Sequence, residues 1–319
     1  MKKSDVFSMI EASVKQEASN LNFRKILVAL SGGADSIATA YALKRVGLEI
    51  RALHCNFHLR GRESDNDETF VKRFCEKNTI PLSTIDFDVD SYKEANPGVS
   101  VEMACRNLRH EWFSKILMES GYDRLATGHN ADDNIETFFL NMLRGSGSRG
   151  LKGMERDNGK IWRPLLSFHR KEILSFLDDN KLDYVVDSTN LQSDYRRNFL
   201  RNEIIPLLKE KWPGFDTAMD KTISNLETEN NLIEHYLNNI LKETGGSLEV
   251  STILESWAPL LLIKRFLDPY GPFVKTPEEV LSAINANKPH IRRWRLKKGI
   301  LILRNGKLFI EIGHGKSSS

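Results

Sequence analysis

Short apolar runs alternate with longer helical patterns through the first part of this chain. The runs at 25–30, 49–56, 81–86, 124–128 and 161–166 read as buried strands. Between them, residues 36–46, 63–78, 99–120 and 132–144 carry helical patterns. Strands and helices that alternate with short links predict a parallel sheet covered on both faces. In such sheets ligands bind outside the carboxyl ends of the strands. The segments after Leu30, after Ala52 and after Thr127 therefore converge on one rim. Beyond residue 190 the pattern changes. A long helix is expected over 215–241, and Asn305-Gly306 joins strands 299–303 and 308–312 as a hairpin. The expected architecture is a doubly wound, mainly parallel α/β domain over 1–213, followed by a smaller helical and hairpin domain over 214–319.

The first rim segment is Ser31-Gly32-Gly33-Ala34-Asp35-Ser36, directly after the apolar run Ile26-Leu27-Val28-Ala29. A strand, a glycine turn and a helix N-terminus form an anion site, because backbone N–H groups point outward and the helix dipole favours negative charge. Gly32 and Gly33 let the backbone approach phosphate oxygens without a Cβ in the way. The hydroxyls of Ser31 and Ser36 can donate to the same oxygens. No Gly-Lys-Ser/Thr closes the loop, so it is not a Walker A motif. Asp35 alone would repel a polyphosphate, so its presence implies a shared Mg²⁺. The plainer reading is a tight turn in which Ser36 or Asp35 caps the helix.

Five further segments carry candidate chemistry. In His129-Asn130-Ala131-Asp132-Asp133-Asn134-Ile135-Glu136-Thr137, Asp133 and Glu136 share a helix face in the first turn, with His129 just before it. Ordinary acidic capping by Asp132 or Asn130 is the alternative. Glu102, Arg106 and Arg109 also share a helix face, and read either as a solvated ion pair or as a bidentate phosphate or carboxylate clamp. Arg144-Gly145-Ser146-Gly147-Ser148-Arg149-Gly150-Leu151 reads as a flexible C-cap or as a mobile basic loop that follows a nucleic-acid backbone. Tyr195–Asn202, with Arg197, Asn198 and Arg201, opens a basic helix that ends near Pro206 or Lys211. Lys288–Lys298 sets six basic residues, among them Arg292, Arg293 and Arg295, around Trp294. That composition suits RNA backbone contact and base stacking, or else an edge strand protected by charge.

Composition narrows the class. A formal net charge of +3 permits a polyanionic partner without requiring one. Cys55, Cys75 and Cys105 contain no C-x-x-C pair, so neither structural zinc nor a disulfide framework is expected, and reduced cytosolic thiols are the default. The chain has no internal repeat, no apolar stretch of membrane-spanning length and no signal-peptide core after Met1-Lys2-Lys3. A cytoplasmic location without membrane attachment follows as the expectation. The tail 313–319 reads as disordered.

Taken together, the motifs resemble the tRNA(Ile)-lysidine synthetases, enzymes of the ATP pyrophosphatase superfamily. The matching stretches are Ser31–Ser36; His54, Asn56, Leu59-Arg60-Gly61, Glu63-Ser64 and Asp67; Glu102–Arg109; His129–Thr137; Arg144–Leu151; Arg163-Pro164-Leu165-Leu166; Asp187-Ser188 and Asn190; and Arg197-Asn198 with Arg201. The resemblance covers roughly 24–213 and weakens beyond it. Phe57 stands where the family often has a histidine, and the chain stops before the last small domain of longer members.

The resemblance implies an adenine nucleotide alpha hydrolase-like fold and a C–N ligase that uses ATP and Mg²⁺. Such enzymes adenylate C2 of the wobble cytidine in a CAU-anticodon tRNA(Ile). The ε-amine of free L-lysine then displaces AMP. Residues 31–36 would bind the nucleotide, and Asp35 would hold the metal. Asp133 or Glu136 would orient the lysine and accept its proton, His129 would face the phosphates or the adenylate, and Arg106 would hold the activated cytidine. Arg109, Arg144, Arg149, Arg197, Asn198, Arg201, Arg292, Arg293 and Arg295 would contact tRNA. A tRNA thiolase of the same superfamily and a non-catalytic tRNA-binding relative are the alternatives. Oligomeric state stays open, with a homodimer among the options.

Overall fold

A computed structural model describes residues 3–186, 195–243, 246–271, 275–286 and 291–312. The motif residues Asp187, Ser188 and Asn190, the basic positions 288–290 and the tail 313–319 lie outside the described residues. The chain divides into two compact units, Met1–Leu226 and Glu227–Ser319.

In the first unit the elements run α1 (Lys3–Asn20), β1 (Lys25–Ala29), α2 (Ala34–Arg45), β2 (Glu49–Asn56), α3 (Arg62–Lys77), β3 (Leu82–Asp86), α4 (Val89–Ala95), α5 (Val101–Ser120), β4 (Arg124–Ala126), α6 (Ala131–Leu143), α7 (Ser148–Leu151), β5 (Ile161–Trp162) and α8 (Arg170–Asp179). The strands form one parallel sheet in the order β3-β2-β1-β4-β5. The direction of winding reverses between β1 and β4, which opens a crevice at their carboxyl ends. The expected doubly wound fold is therefore the observed one.

Strands β4 and β5 end two or more residues before their apolar runs do. Strand β5 stops at Trp162 because Pro164 lacks a ladder N–H and biases Arg163 away from regular pairing. Strand β4 stops at Ala126, ahead of Gly128. Helices α1, α4, α7 and α8 were not read from the sequence. Helix α1 buries Ile10, Val14 and Ala18 at four-residue spacing, and α8 buries Ile173, Phe176 and Leu177.

Beyond α8 come α9 (Tyr195–Phe199), a π-helical turn (Leu200–Ile204), α10 (Ile205–Lys211) and α11 (Phe215–Glu243). Pro206 withholds the N–H that a regular helix would donate to residue 202, and the ladder widens into the π turn just before it. Helix α11 carries the chain into the second unit, which adds β6 (Ser247–Glu249), α12 (Val250–Glu255), α13 (Pro259–Leu267), α14 (Thr276–Asn285), β7 (Arg292–Leu296), β8 (Gly299–Arg304) and β9 (Lys307–Glu311). Its strands make an antiparallel sheet in the order β6-β9-β8-β7. Asn305 (φ 49°) and Gly306 (φ 70°) form the turn between β8 and β9. This is the left-handed pair a tight hairpin demands.

Strand β7 is an edge, and its side chains alternate. Arg293 and Arg295 are exposed, while Arg292 and Trp294 are half-buried on the other face, followed by buried Leu296. The three arginines therefore do not form a single face.

Trp162 anchors the core of the first unit. It is fully buried, meets Phe23 edge-on at 5.2 Å and donates its indole N–H to Glu17 at 3.0 Å. Removing it leaves both a cavity and an unpaired carboxylate oxygen. Trp162→Ala should cost about 3–5 kcal/mol in urea unfolding; a loss below about 1 kcal/mol would contradict this account of the core.

Candidate active site

The phosphate loop follows β1 and is shaped from within. The Ser36 hydroxyl donates to the Gly33 carbonyl at 2.8 Å and accepts the Gly32 N–H at 3.2 Å. Ser36 is buried by this work, whereas Ser31 is exposed and accepts the Gly33 N–H at 3.3 Å. Gly33 is the N-cap of α2 without any side-chain cap, so neither Ser36 nor Asp35 fills that role. The first-turn N–H groups of this 12-residue helix are left to an anion. Gly32 sits at φ +93°, where a Cβ would also press on Val71 and Val185 at 3.2 and 3.3 Å.

Asp35 is held from one side. Its Oδ2 accepts from Arg170 Nη1 at the start of α8, and its Oδ1 is buried without a hydrogen-bond partner of good geometry. Burial raises its pKa, and the nearby Asp133 charge adds to this; Arg170, and to a smaller degree the Asn130 amide, act in the opposite direction. An orphaned carboxylate oxygen beside an anion cradle fits a divalent cation such as Mg²⁺.

The loop after β4 closes on this cradle. A Cβ at Gly128 would stand 2.8 Å from the Asp35 carbonyl carbon and 2.9 Å from the Ser36 nitrogen. Only glycine permits that approach. Asn130 then caps α6 through a reciprocal box with Asp133: Asp133 N donates to Asn130 Oδ1 at 3.0 Å, and Asn130 N donates to Asp133 Oδ2 at 3.1 Å.

Asp133 and Glu136 meet two arginines from the 195–211 helical stretch. Arg197 Nε lies 2.7 Å from Glu136 Oε2. Arg201 Nε lies 2.5 Å from Glu136 Oε1, and its Nη2 reaches Asp133 Oδ1 at 2.9 Å. Glu136 is only 2% exposed. Burial alone would lower the Arg201 pKa, but the bond to Glu136 and the charges of Glu136, Asp133 and Asp35 hold it above its ordinary value. Arg197 and Arg201, read from the sequence as RNA contacts, thus turn into the acidic helix. Asn198, between them, has a buried Nδ2 without a partner.

His129 Nδ1 lies 2.8 Å from Thr127 Oγ1. Burial, followed by the charges of Arg163, Arg197, Arg109 and Arg106, pushes its pKa down to about 4, so the imidazole is neutral at pH 7. Arg106 and Arg109 are exposed on α5 yet close enough to act on His129, and Arg106 makes no ion pair with Glu102. Arg144 and Arg149 are exposed at the end of α6 and in α7. The Arg-Gly segment is bonded back to α6, where Asn141 Nδ2 donates to Gly150 O at 2.8 Å; just beyond it, Met154 N donates to Asn134 Oδ1 at 2.7 Å.

A second charge cluster anchors α8. Arg170 N donates to Asp132 Oδ2 at 2.7 Å, and Lys209 Nζ lies 2.8 Å from Asp132 Oδ1 and 2.9 Å from Asp216 Oδ1. His169, between Asp132 at 3.3 Å and Asp220 at 2.9 Å, has its pKa raised to about 10 by hydrogen bonds to both. Asp132, His169 and Asp216 have metal-ligand spacing, but the Lys209 ammonium already lies between the two carboxylates. This network holds the helix that delivers Arg170. Arg170, Gly128 and Lys209 were not singled out in the sequence. A glycine just after an apolar strand was the one available signal; nothing local links residue 170 to residue 35.

The fold and the cradle define a nucleotide-binding α/β protein of the PP-loop class, and the ATP-binding PP-loop domain family matches residues 7–208. The chain is 44% identical over 78% of its length to a tRNA(Ile)-lysidine synthase from Porphyromonas gingivalis, covering 55% of that protein. It is 36% identical over 77% of its length to one from Chlorobaculum tepidum, covering 78% of that protein. The chain belongs to the tRNA(Ile)-lysidine synthase family. It spans little more than half the length of several of these relatives. Among solved structures, the U34-tRNA thiolase NcsA from Methanococcus maripaludis shares the fold, with a TM-score of 0.58 at 21% identity over 70% of this chain and 80% of that one. No described helix is long and apolar enough to cross a membrane.

Gly128→Ala tests the closure. The added methyl should separate the two loops and weaken ATP binding by about tenfold or more in calorimetry, since even a small misplacement of the phosphate site is costly. Wild-type affinity in a folded variant would contradict the close approach.

Proposed function

We propose that this chain ligates free L-lysine to C2 of the wobble cytidine, position 34, of CAU-anticodon tRNA(Ile), consuming ATP and releasing AMP and pyrophosphate. The observation that carries the proposal is the joining of the phosphate cradle to the Asp133–Glu136 cluster through Gly128. In this reading the α2 N-terminus and the Gly32–Gly33 backbone bind the polyphosphate. Asp35, through Oδ1, would hold Mg²⁺, which neutralises charge on the departing pyrophosphate. Cytidine O2 attacks the α-phosphorus, and the lysine ε-nitrogen then attacks C2 and displaces AMP.

The lysine ammonium, with a solution pKa of about 10.4, must lose a proton to become a nucleophile. Both oxygens of Glu136 are engaged by arginines, and its side chain is 2% exposed. Asp133 is 16% exposed and accepts one hydrogen bond at each oxygen. Asp133 is therefore the proton acceptor, and Glu136 positions Arg197 and Arg201. His129, neutral at working pH, serves as a hydrogen-bonding group toward the adenylate. Arg106 and Arg109 hold the cytidine or its phosphate.

The smaller unit contributes tRNA contact through Arg293 and Arg295 on the exposed face of β7, with Arg292 beside Trp294 on the other. The thiolase alternative lacks support from the cysteines. Burial pushes the Cys55 thiol up to about 12 and Cys75 up to about 11, and among the described residues no cysteine joins a metal-ligand cluster.

Labelled lysine incorporation into a CAU-anticodon tRNA, with and without ATP, tests the activity; ATP-independent or absent incorporation would refute it. Asp133→Ala should abolish incorporation while costing about 1–3 kcal/mol of stability, because the reciprocal half of the capping box and one partner of Arg201 are lost. Asp35→Ala should abolish ATP-dependent pyrophosphate release; an unchanged pyrophosphate assay would remove its metal role.

A further inference from the structure

Beyond the cradle, the segment after α6 forms an open surface pocket of about 300 Å³, lined by Asn141, Arg149, Lys152, Glu155, Asn158 and Arg163. We propose that this pocket is a subsite for one phosphodiester of the RNA strand, beside the nucleotide being modified. The inference rests on the activity proposed above and adds a built site to it.

Three cations line the pocket against a single carboxylate, and Lys152 engages that carboxylate at 2.9 Å. Arg163 is fixed by its Nη1, which donates to the Glu155 carbonyl at 2.5 Å. Its Nε is buried without a hydrogen-bond partner. An unmet guanidinium donor in a basic, polar pocket calls for an oxyanion.

The walls are preformed. Asn141 and Asn134 of α6 tie down Gly150 O and Met154 N. A Cβ at Gly153 would run into the Asn134 side chain at 2.3 Å, and one at Gly150 would meet Ser146 at 2.6 Å. A site held this way loses little freedom on binding. Arg163 is also the foremost of the charges that depress His129, which ties the pocket to the reaction centre. The ATP phosphates already have the Gly32–Gly33 cradle, so the anion that remains to be held next to the base is the strand's own phosphate.

The test is fluorescence anisotropy of a labelled CAU anticodon stem-loop on the full chain, from about 50 to 200 mM salt. Arg163→Ala, Arg163→Lys and Arg149→Ala are compared with wild type, and melting temperatures verify folding. Arg149 is exposed, so its variant keeps the test valid if Arg163→Ala does not fold. Each alanine variant should bind about tenfold more weakly, with a salt slope shallower by about 0.7–0.9. Arg163→Lys, which keeps the charge but not the fork, should recover the slope and only part of the affinity. Wild-type affinity and slope in folded Arg163→Ala and Arg149→Ala would overturn the subsite. So would a raised KM for lysine with unchanged RNA binding, which would make the anion the amino acid's carboxylate. If the unmodified chain itself fails to bind the stem-loop, the proposed activity falls first, and the subsite with it.

Discussion

A carboxylate that is almost wholly buried cannot stay charged without cations, and Glu136 receives two. Arg197 and Arg201 approach it from the 195–211 helical stretch, and this requirement brings that stretch against α6. Because α6 also begins with the Asn130–Asp133 box, the same ion pairs fix the helix whose N-terminus abuts the phosphate loop. Buried pairs of this type add little net stability over apolar packing, but losing one partner is severe. Their value here is register: they set which face of α6 looks at the cradle.

From this clamp the rest of the site follows in order. Gly128 allows the β4 loop to touch the Asp35 backbone, and Arg170 steadies one oxygen of Asp35. The network of Asp132, His169 and Lys209 holds the helix from which Arg170 projects. Burial, reinforced by four nearby arginines, keeps His129 neutral, and the same arginines give the crevice a positive wall. The arrangement gathers an anion cradle, an unpartnered carboxylate oxygen of Asp35, the partly exposed Asp133 and a basic wall in one crevice at the topological switch point.

Much of this was readable beforehand, for physical reasons. The parallel sheet follows from buried strands separated by helices, and the cradle from two glycines between a strand and a helix. The hairpin at Asn305-Gly306 needs residues that accept positive φ. Long-range pairing was not readable. Arg197 and Arg201 read as RNA-contacting residues until Glu136 is found to be buried opposite them. Arg170 contacts Asp35 across a sequence separation that no local period encodes. Residues 144–151 look mobile by composition, yet Asn141 of the preceding helix holds the Gly150 carbonyl and Ser148–Leu151 form a helical turn.

The most direct test of the central claim is a double-mutant cycle between Glu136 and Arg201, using Glu136→Gln and Arg201→Gln and read by urea unfolding. The account predicts a coupling of at least about 1 kcal/mol, as expected for partners in one buried charge network. Effects that add to within about 0.5 kcal/mol would show that the two side chains do not depend on each other, and would contradict the claim that this pair sets the geometry of the site.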